Sequence, residues 1–202
     1  MAEKEVPGRL QTAGGEGRRA RRHDPRRRER VLDAALEVLV EDGAAGITHR
    51  KVAAHADVPL GSVTYHFASL TELCAQAFGR YVEQQTAAYE ALFAGVASHE
   101  ELVDALAGLV QGGPSRHRSA VLGFELHLAA LRDPALRALT QEWTRSSQSV
   151  LARFTGAETA ARLDALLEGM IMHALLSTER KPRAETRAAI VQVLGPATGS
   201  GL

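Results

Sequence analysis

The chain reads as all-α. Three observations carry that reading. Apolar side chains recur at spacings of three and four residues from Val31 onward. Helix-start signatures alternate with stops along the whole sequence. No segment alternates apolar and polar residues between hairpin turns. About nine helices result, without an internal repeat.

The elements follow in order. Residues 1–23 are rich in Gly and Arg and almost devoid of large apolar side chains, so they are expected to form a disordered basic arm. Gly14-Gly15-Glu16-Gly17 has no preceding strand and no following Gly-Lys-Ser/Thr, so it is a tail and not a phosphate loop. Asp24-Pro25 pairs a cap with a first-turn proline, and Gly43 ends the helix they begin. Thr48 caps a short helix from Lys51 to Ala56, with Asp57 in the turn beyond it. Pro59 suits the opening of the next helix, whose Val63 and Phe67 lie four apart on one face. Ser69-x-x-Glu72 is a capping box for a long helix to about Val96, and Ser98-x-x-Glu101 opens another that stops at Gly112-Gly113-Pro114. A helix is expected over roughly Ser119 to Leu131. Asp133-Pro134 starts the next, to Phe154, closed by Gly156. Thr155-x-x-Glu158 introduces one to about Thr178, and Lys181-Pro182 a last one ended by Gly195-Pro196. The expected domains are a unit over 24–68, a helical unit over 69–196 whose first residues 69–80 connect the two, and a tail over 197–202.

The 202 residues balance 24 Lys+Arg against 24 Asp+Glu, but unevenly. Residues 1–30 hold ten basic and five acidic groups, leaving 14 basic and 19 acidic on the rest. A basic head on an acidic body is the asymmetry expected where one end meets a polyanion. Cys74 is the only cysteine, so an intrachain disulfide is excluded and a reducing cytoplasm is the expected setting. MAEKEVPGRL has no apolar h-region, and no apolar run approaches the ~18 residues of a membrane helix.

Ile47 to Leu73 is the most specific stretch. Two short helices flank a tight turn. Fixing Val63 and Phe67 inward leaves Leu60, Gly61, Ser62, Thr64, Tyr65 and His66 outward. Small and hydrogen-bonding side chains on one short helix suit a major groove. Gly61 costs a helix ~1 kcal/mol against Ala, which points to a close backbone approach. Thr48, Arg50, Lys51, Tyr65 and His66 are candidate phosphate contacts, and Leu60, Gly61, Ser62 and Thr64 candidate base contacts. Arg26, Arg27, Arg28 and Arg30 crowd the positive end of a helix dipole, a cost that phosphate would offset, and Arg18, Arg19, Arg21 and Arg22 could reach a minor groove.

ITHRKVAAHADV, PLGSVTYHF and ASLTEL, preceded by RRRERVLDAALEVLVEDG, resemble the tetracycline-repressor (TetR-type) family of bacterial regulators over about residues 25–78. Leu70 stands where that family's next helix usually begins with Lys, and Asp57 where Gly is frequent. The resemblance implies a homodimer on double-stranded operator DNA, a repressor released by a small-molecule effector of unknown identity. It also implies pairing of the last two helices with a second chain. The apolar stripe Leu163, Leu166, Leu167, Met170, Ala174 and Leu175 is the candidate dimer face, with Gly169 permitting close approach; simple intrachain core is the alternative. Phe93, Leu106, Phe124, His127, Leu128, Trp143, Ser147, Met170 and His173 are candidate pocket residues on helices that should converge.

Other chemistries find little support. Eight histidines show no metal-ligand spacing, so no metal or other cofactor is expected, and His127 and His173 are the pair expected to be buried. Cys74, in the first turn of a helix, would favour a thiolate, but it has no nearby partner in the sequence. A helical enzyme using Cys74 and a protein-interaction module with a degenerate helix-turn-helix remain the alternatives to a regulator.

Overall fold

The computed structural model describes residues 26–179 and 181–195. The expected basic arm, the Asp24-Pro25 cap, Pro196 and the tail lie outside them. Among the described residues there are nine helices and no strand. They are α1 (Arg27–Gly46), α2 (His49–His55), α3 (Leu60–His66), α4 (Leu70–Phe93), α5 (His99–Gln111), α6 (Pro114–Ala130), α7 (Pro134–Thr155), α8 (Ala157–Leu176) and α9 (Arg183–Leu194).

Most boundaries fall where local chemistry puts them. Thr48 Oγ1 accepts from Lys51 N at 3.2 Å, Asp133 Oδ1 accepts from Ala135 N at 2.8 Å, and Ser98 with Glu101 forms the full reciprocal box. Asp57 takes φ +50, the one positive φ outside glycine among the described residues. Gly43, at φ +68, breaks α1 as expected, although a final turn carries on to Gly46.

Three expectations need correcting. α6 begins at Pro114, five residues before Ser119: the Gly-Gly-Pro stop of α5 is also a start, with Gly113 as cap and Pro114 in the first turn. Thr155 does not cap α8, because its hydroxyl donates back to the Leu151 carbonyl at 3.1 Å and keeps it within α7. The Ser69 box is half made: Ser69 Oγ accepts from Glu72 N, but the Glu72 carboxylate takes the Ala68 N–H instead.

Two cores organise the chain. The first gathers Val31, Leu36 and Leu39 of α1, Val52 of α2, Val63 and Phe67 around α3, Leu73 and Phe78 of α4, Leu122 and Leu126 of α6, and Leu136 of α7. The second joins Phe93, Leu102 and Leu106 to Val150 and Leu151 of α7, Leu163 and Leu167 of α8, and Ile190 of α9. α4 and α7 run through both. Polar ties bind α1 to the rest of the first core. Arg80 of α4 grips Asp33 with two bonds, 2.6 and 3.2 Å, which hold its guanidinium proton more firmly. Arg118 of α6 pairs with Glu37, and Glu125 of α6 accepts from Ala44 N at 2.9 Å. A Cβ at Gly43 would stand 3.3 Å from that same carboxylate, so this turn needs glycine for its space as well as for its φ.

Phe67 is 1% exposed and closes α3 against α1 and α4. Phe67→Ala should cost about 3–5 kcal/mol in urea unfolding and loosen α3 first, since large-to-small core changes leave a cavity.

Candidate nucleic-acid interface and ligand cavity

α3 stands on its buried side chains and shows the rest outward. Val63 is fully buried, Leu60 is 45% exposed and Tyr65 85%. Gly61 and Thr64 are exposed, while Ser62 and His66 are half-buried. Around Gly61 nothing lies within 4 Å of where a Cβ would be. No packing inside the chain therefore requires glycine there, and any close backbone approach comes from outside. The Tyr65 ring sits edge-on to His66 at 5.2 Å. Thr64 Oγ1 lies 3.4 Å from the Leu60 and Gly61 carbonyls, long enough to leave it free for another partner.

At the start of α2, the cap Thr48 and Arg50 are exposed, and Arg50 has no ion pair among the described residues. Lys51 is also exposed but already engaged: Nζ donates to the Gly46 carbonyl at 2.9 Å and lies 3.0 Å from Asp42. It braces the end of α1. Arg28, although exposed, is likewise engaged within the chain, 5.7 Å over the Phe67 ring and bonded to Gln76.

A cavity of about 120 Å³ opens where the two cores meet. Of the nine expected lining residues, Phe124, His127, Trp143 and Ser147 are there. Met170 and His173 line a second cavity of about 160 Å³, beside Arg116, His117 and Lys181. Phe93 and Leu106 do not line either one: both are buried in the second core, where their helix faces meet α7 to α9. Leu128 is 57% exposed and lines neither cavity. His173 is exposed and not buried, and His127 only half-buried.

The sequence reading passed over Tyr81, Gln85 and Tyr89 of α4, Arg116 of α6, and Asp164 and Glu168 of α8. Their signal was the spacing: 81, 85 and 89, then 164 and 168, each place polar groups four apart on an otherwise apolar face. Burial raises both tyrosine hydroxyls above the ordinary phenol range. Gly123 lets the walls close, for a Cβ there would meet Tyr81 Oη at 3.1 Å and Trp143 Cη2 at 3.2 Å.

The expected dimer stripe divides. Leu163 and Leu167 are buried in the chain's own second core and are unavailable to a partner. Leu166, Met170 and Leu175 are half-buried and Ala174 is exposed. The outward row of α8 is instead Ala165, Gly169, Met172 and Leu176, with exposed Val191 on neighbouring α9. Among the described residues no three His, Cys, Asp or Glu side chains are grouped to hold a metal ion, and no helix is long and apolar enough to cross a membrane.

Residues 31–77 match the family described as bacterial regulatory proteins, tetR family, and residues 97–196 match the tetracyclin repressor-like C-terminal domain. A transcriptional regulator, SCO7518 of Streptomyces coelicolor A3(2), has a solved structure 40% identical to this chain. It superposes with a TM-score of 0.76 over 85% of this chain and 100% of its own. The multidrug binding protein EbrR, solved with ethidium, is 39% identical with a TM-score of 0.66, over 85% of this chain and 99% of its own. Two curated relatives are similar over shorter shares. An HTH-type regulator from the dhlA 5′ region of Xanthobacter autotrophicus is 31% identical over 61% of this chain and 63% of its own length. The HTH-type transcriptional repressor KstR of Mycolicibacterium smegmatis is 29% identical over 76% and 65%. The chain thus spans less than two thirds of both curated relatives.

Cys74 packs half-buried against the first core, and burial pushes its thiol up to about 11. Cys74 is the fifth residue of α4, beyond the first turn expected for it, where the helix dipole favours a thiolate, so desolvation is left to set its pKa. At pH 8 roughly one thiol in a thousand is then ionised. Iodoacetamide should label the folded chain far more slowly than the urea-unfolded one, with labelling rising as pH approaches 11; equal rates would show an accessible thiolate.

Proposed function

The chain belongs to the tetR family of bacterial regulatory proteins, and from that premise we propose that it is a homodimeric DNA-binding repressor released from its operator by a small molecule. The outward face of α3 carries the reading: an 85%-exposed tyrosine beside small polar side chains, on a helix held by Val63 and Phe67 alone, is built to meet something outside the chain. Leu60, Gly61, Ser62 and Thr64 take the base edges. Thr48, Arg50, Tyr65 and His66 hold phosphates, and Lys51 joins them by leaving Asp42. Such a protein works in the cytoplasm, where the operator is.

Dimerisation falls to α8 and α9. The row Ala165, Gly169, Met172 and Leu176 is small at one end and apolar at the other, and open space around Gly169 suits close helix approach. The cavity is the effector site. EbrR, solved with ethidium, supports a small-molecule ligand for a chain of this fold. α6 joins the two ends, since it lines the cavity through Gly123, Phe124 and His127 and holds the end of α1 through Glu125. A shift of α6 would move α1, and the α2–α3 unit packed on it.

Selection of bound sequences from a random duplex pool, with mass measured in solution, tests the reading. A palindrome retained by a dimer is the expected result; sequence-blind binding, or none, would leave a protein-interaction module. Tyr65→Ala should weaken operator binding without unfolding the chain. Gly61→Ala should act in opposite directions, stabilising α3 by about 0.5–1 kcal/mol while weakening operator binding, because the added methyl meets the DNA. Glu125→Ala should leave the effector's own affinity intact but reduce the effector concentration's influence on operator retention. Unchanged coupling in that variant would take the Glu125 contact out of the path.

A further inference from the structure

The second cavity, of about 160 Å³, differs in chemistry from the first. Leu109 of α5 and Met170, Ile171 and Leu175 of α8 give it an apolar lining. Beside them stand Arg116 and His117 of α6, His173 of α8 and Lys181 from the stretch before α9, with Glu179 as the one carboxylate. The first cavity has the opposite balance, with Asp164 and Glu168 against Arg116.

Arg116 belongs to both linings, so it stands in the wall between the cavities. It is half-buried, and among the described residues its side chain makes no hydrogen bond and no ion pair. None of its five N–H donors is taken within the chain. The fold nevertheless makes room for it. Gly112, just after α5, has φ −56, a value open to any residue. A Cβ there would stand 2.5 Å from Arg116 Cβ and 2.6 Å from Cγ. Glycine at 112 thus answers a need for space, and the Arg116 stem fills that space. Burial raises the Tyr81 and Tyr89 hydroxyls, and the Arg116 charge draws both partway back, as a guanidinium in the dividing wall would.

An open, planar fork of donors matches an acceptor with two oxygens in one plane. The surrounding charge decides on which side of the wall it lies. Asp164 and Glu168 oppose an anion in the first cavity. Around the second, Lys181 and His117 attract one, and Glu179 takes back part of that pull. All three are exposed, so solvent screens them, and they choose the side while Arg116 supplies the anchor. His173 lies one turn past Gly169, on the side proposed for the dimer, and contributes only as far as a second chain leaves it open. A bare inorganic anion would leave the apolar lining unused. We propose that the second cavity binds a small organic carboxylate, its two oxygens on Arg116 and its apolar body against Leu109, Met170 and Ile171. This site is separate from the effector cavity on the other side of Arg116, and it does not depend on the regulator reading.

Calorimetric titration of the full chain, free of DNA, with benzoate, hexanoate and the two matching amides tests it. At least one carboxylate should bind saturably at millimolar concentration, and its amide on the order of tenfold more weakly. Arg116→Gln should weaken the carboxylate on the order of tenfold or more, and Arg116→Lys, which keeps the charge without the fork, severalfold. Val110 and Ala174 line the second cavity alone, so Val110→Phe and Ala174→Phe should each block binding. Glu168 lines the first cavity alone, and Glu168→Gln should leave the affinity unchanged. Thermal melts and mass in solution establish that each variant is folded and assembled as the parent is. The proposal is overturned if neither carboxylate binds, if the amides bind as tightly, or if folded Arg116→Gln binds as the parent does. Tighter binding in Glu168→Gln, with both phenylalanine variants binding as the parent does, would also overturn it by moving the anion into the first cavity.

Discussion

A seven-residue helix makes too few internal hydrogen bonds to persist in water. α2 and α3 are both of this length, and both are the elements on which recognition depends. Their existence is therefore a tertiary matter. Val52 and Ala53 hold α2, Val63 and Phe67 hold α3, and all four are received by the face of α1 that runs from Val31 to Leu39. Arg28 lies over the Phe67 ring and closes that contact from the solvent side. The orientation of the recognition face is thus fixed by a core in which its own outward side chains take no part. Those side chains are free to be chosen for what they meet.

The same core extends beyond the first three helices. Leu122, Leu126 and Leu136 complete it from α6 and α7, and Arg80, Arg118 and Glu125 tie α1 to α4 and α6 with charged groups. Exposed ion pairs of this kind add little stability. Their value is geometric: each fixes where a distant helix stands relative to α1. The cavity lies where this core meets the second, and α4 and α6 each line it while also holding α1, through Arg80 and Glu125 respectively.

Much of this was legible in the sequence because it is local. Caps at Thr48, Ser98 and Asp133, the turn at Asp57, and breaks at Gly43, Gly156 and Gly195 depend on residues within four positions of one another. So does the outward face of α3, once Val63 and Phe67 are turned in. What the sequence hid is what depends on which helix meets which. Leu163 and Leu167 belong to an apolar stripe wide enough for a core and a partner, and only the placement of α7 and α9 assigns them to the core. Phe93 and Leu106 look like pocket residues until the second core closes around them. Asp164 and Glu168 read as an ordinary polar interruption of a helix until Trp143 stands opposite. Thr155 had the sequence context of a cap, yet its hydroxyl turns back to the Leu151 carbonyl of its own helix.

The Asp42–Lys51 pair has a consequence for how charge is read at the recognition surface. A cation that meets DNA from bulk water displaces counterions condensed on the phosphates, and this release drives association. Lys51 begins with a carboxylate already beside it. If it turns to a phosphate, one ion pair is exchanged for another, and Asp42 must gather a cation from solution in return. The gain in entropy at the phosphate is then largely cancelled at the protein. Counting basic side chains on this face therefore overstates its pull on a polyanion, and under the proposed assignment Leu60, Gly61, Ser62 and Thr64 would carry a correspondingly larger share of what holds the chain to one sequence and not another.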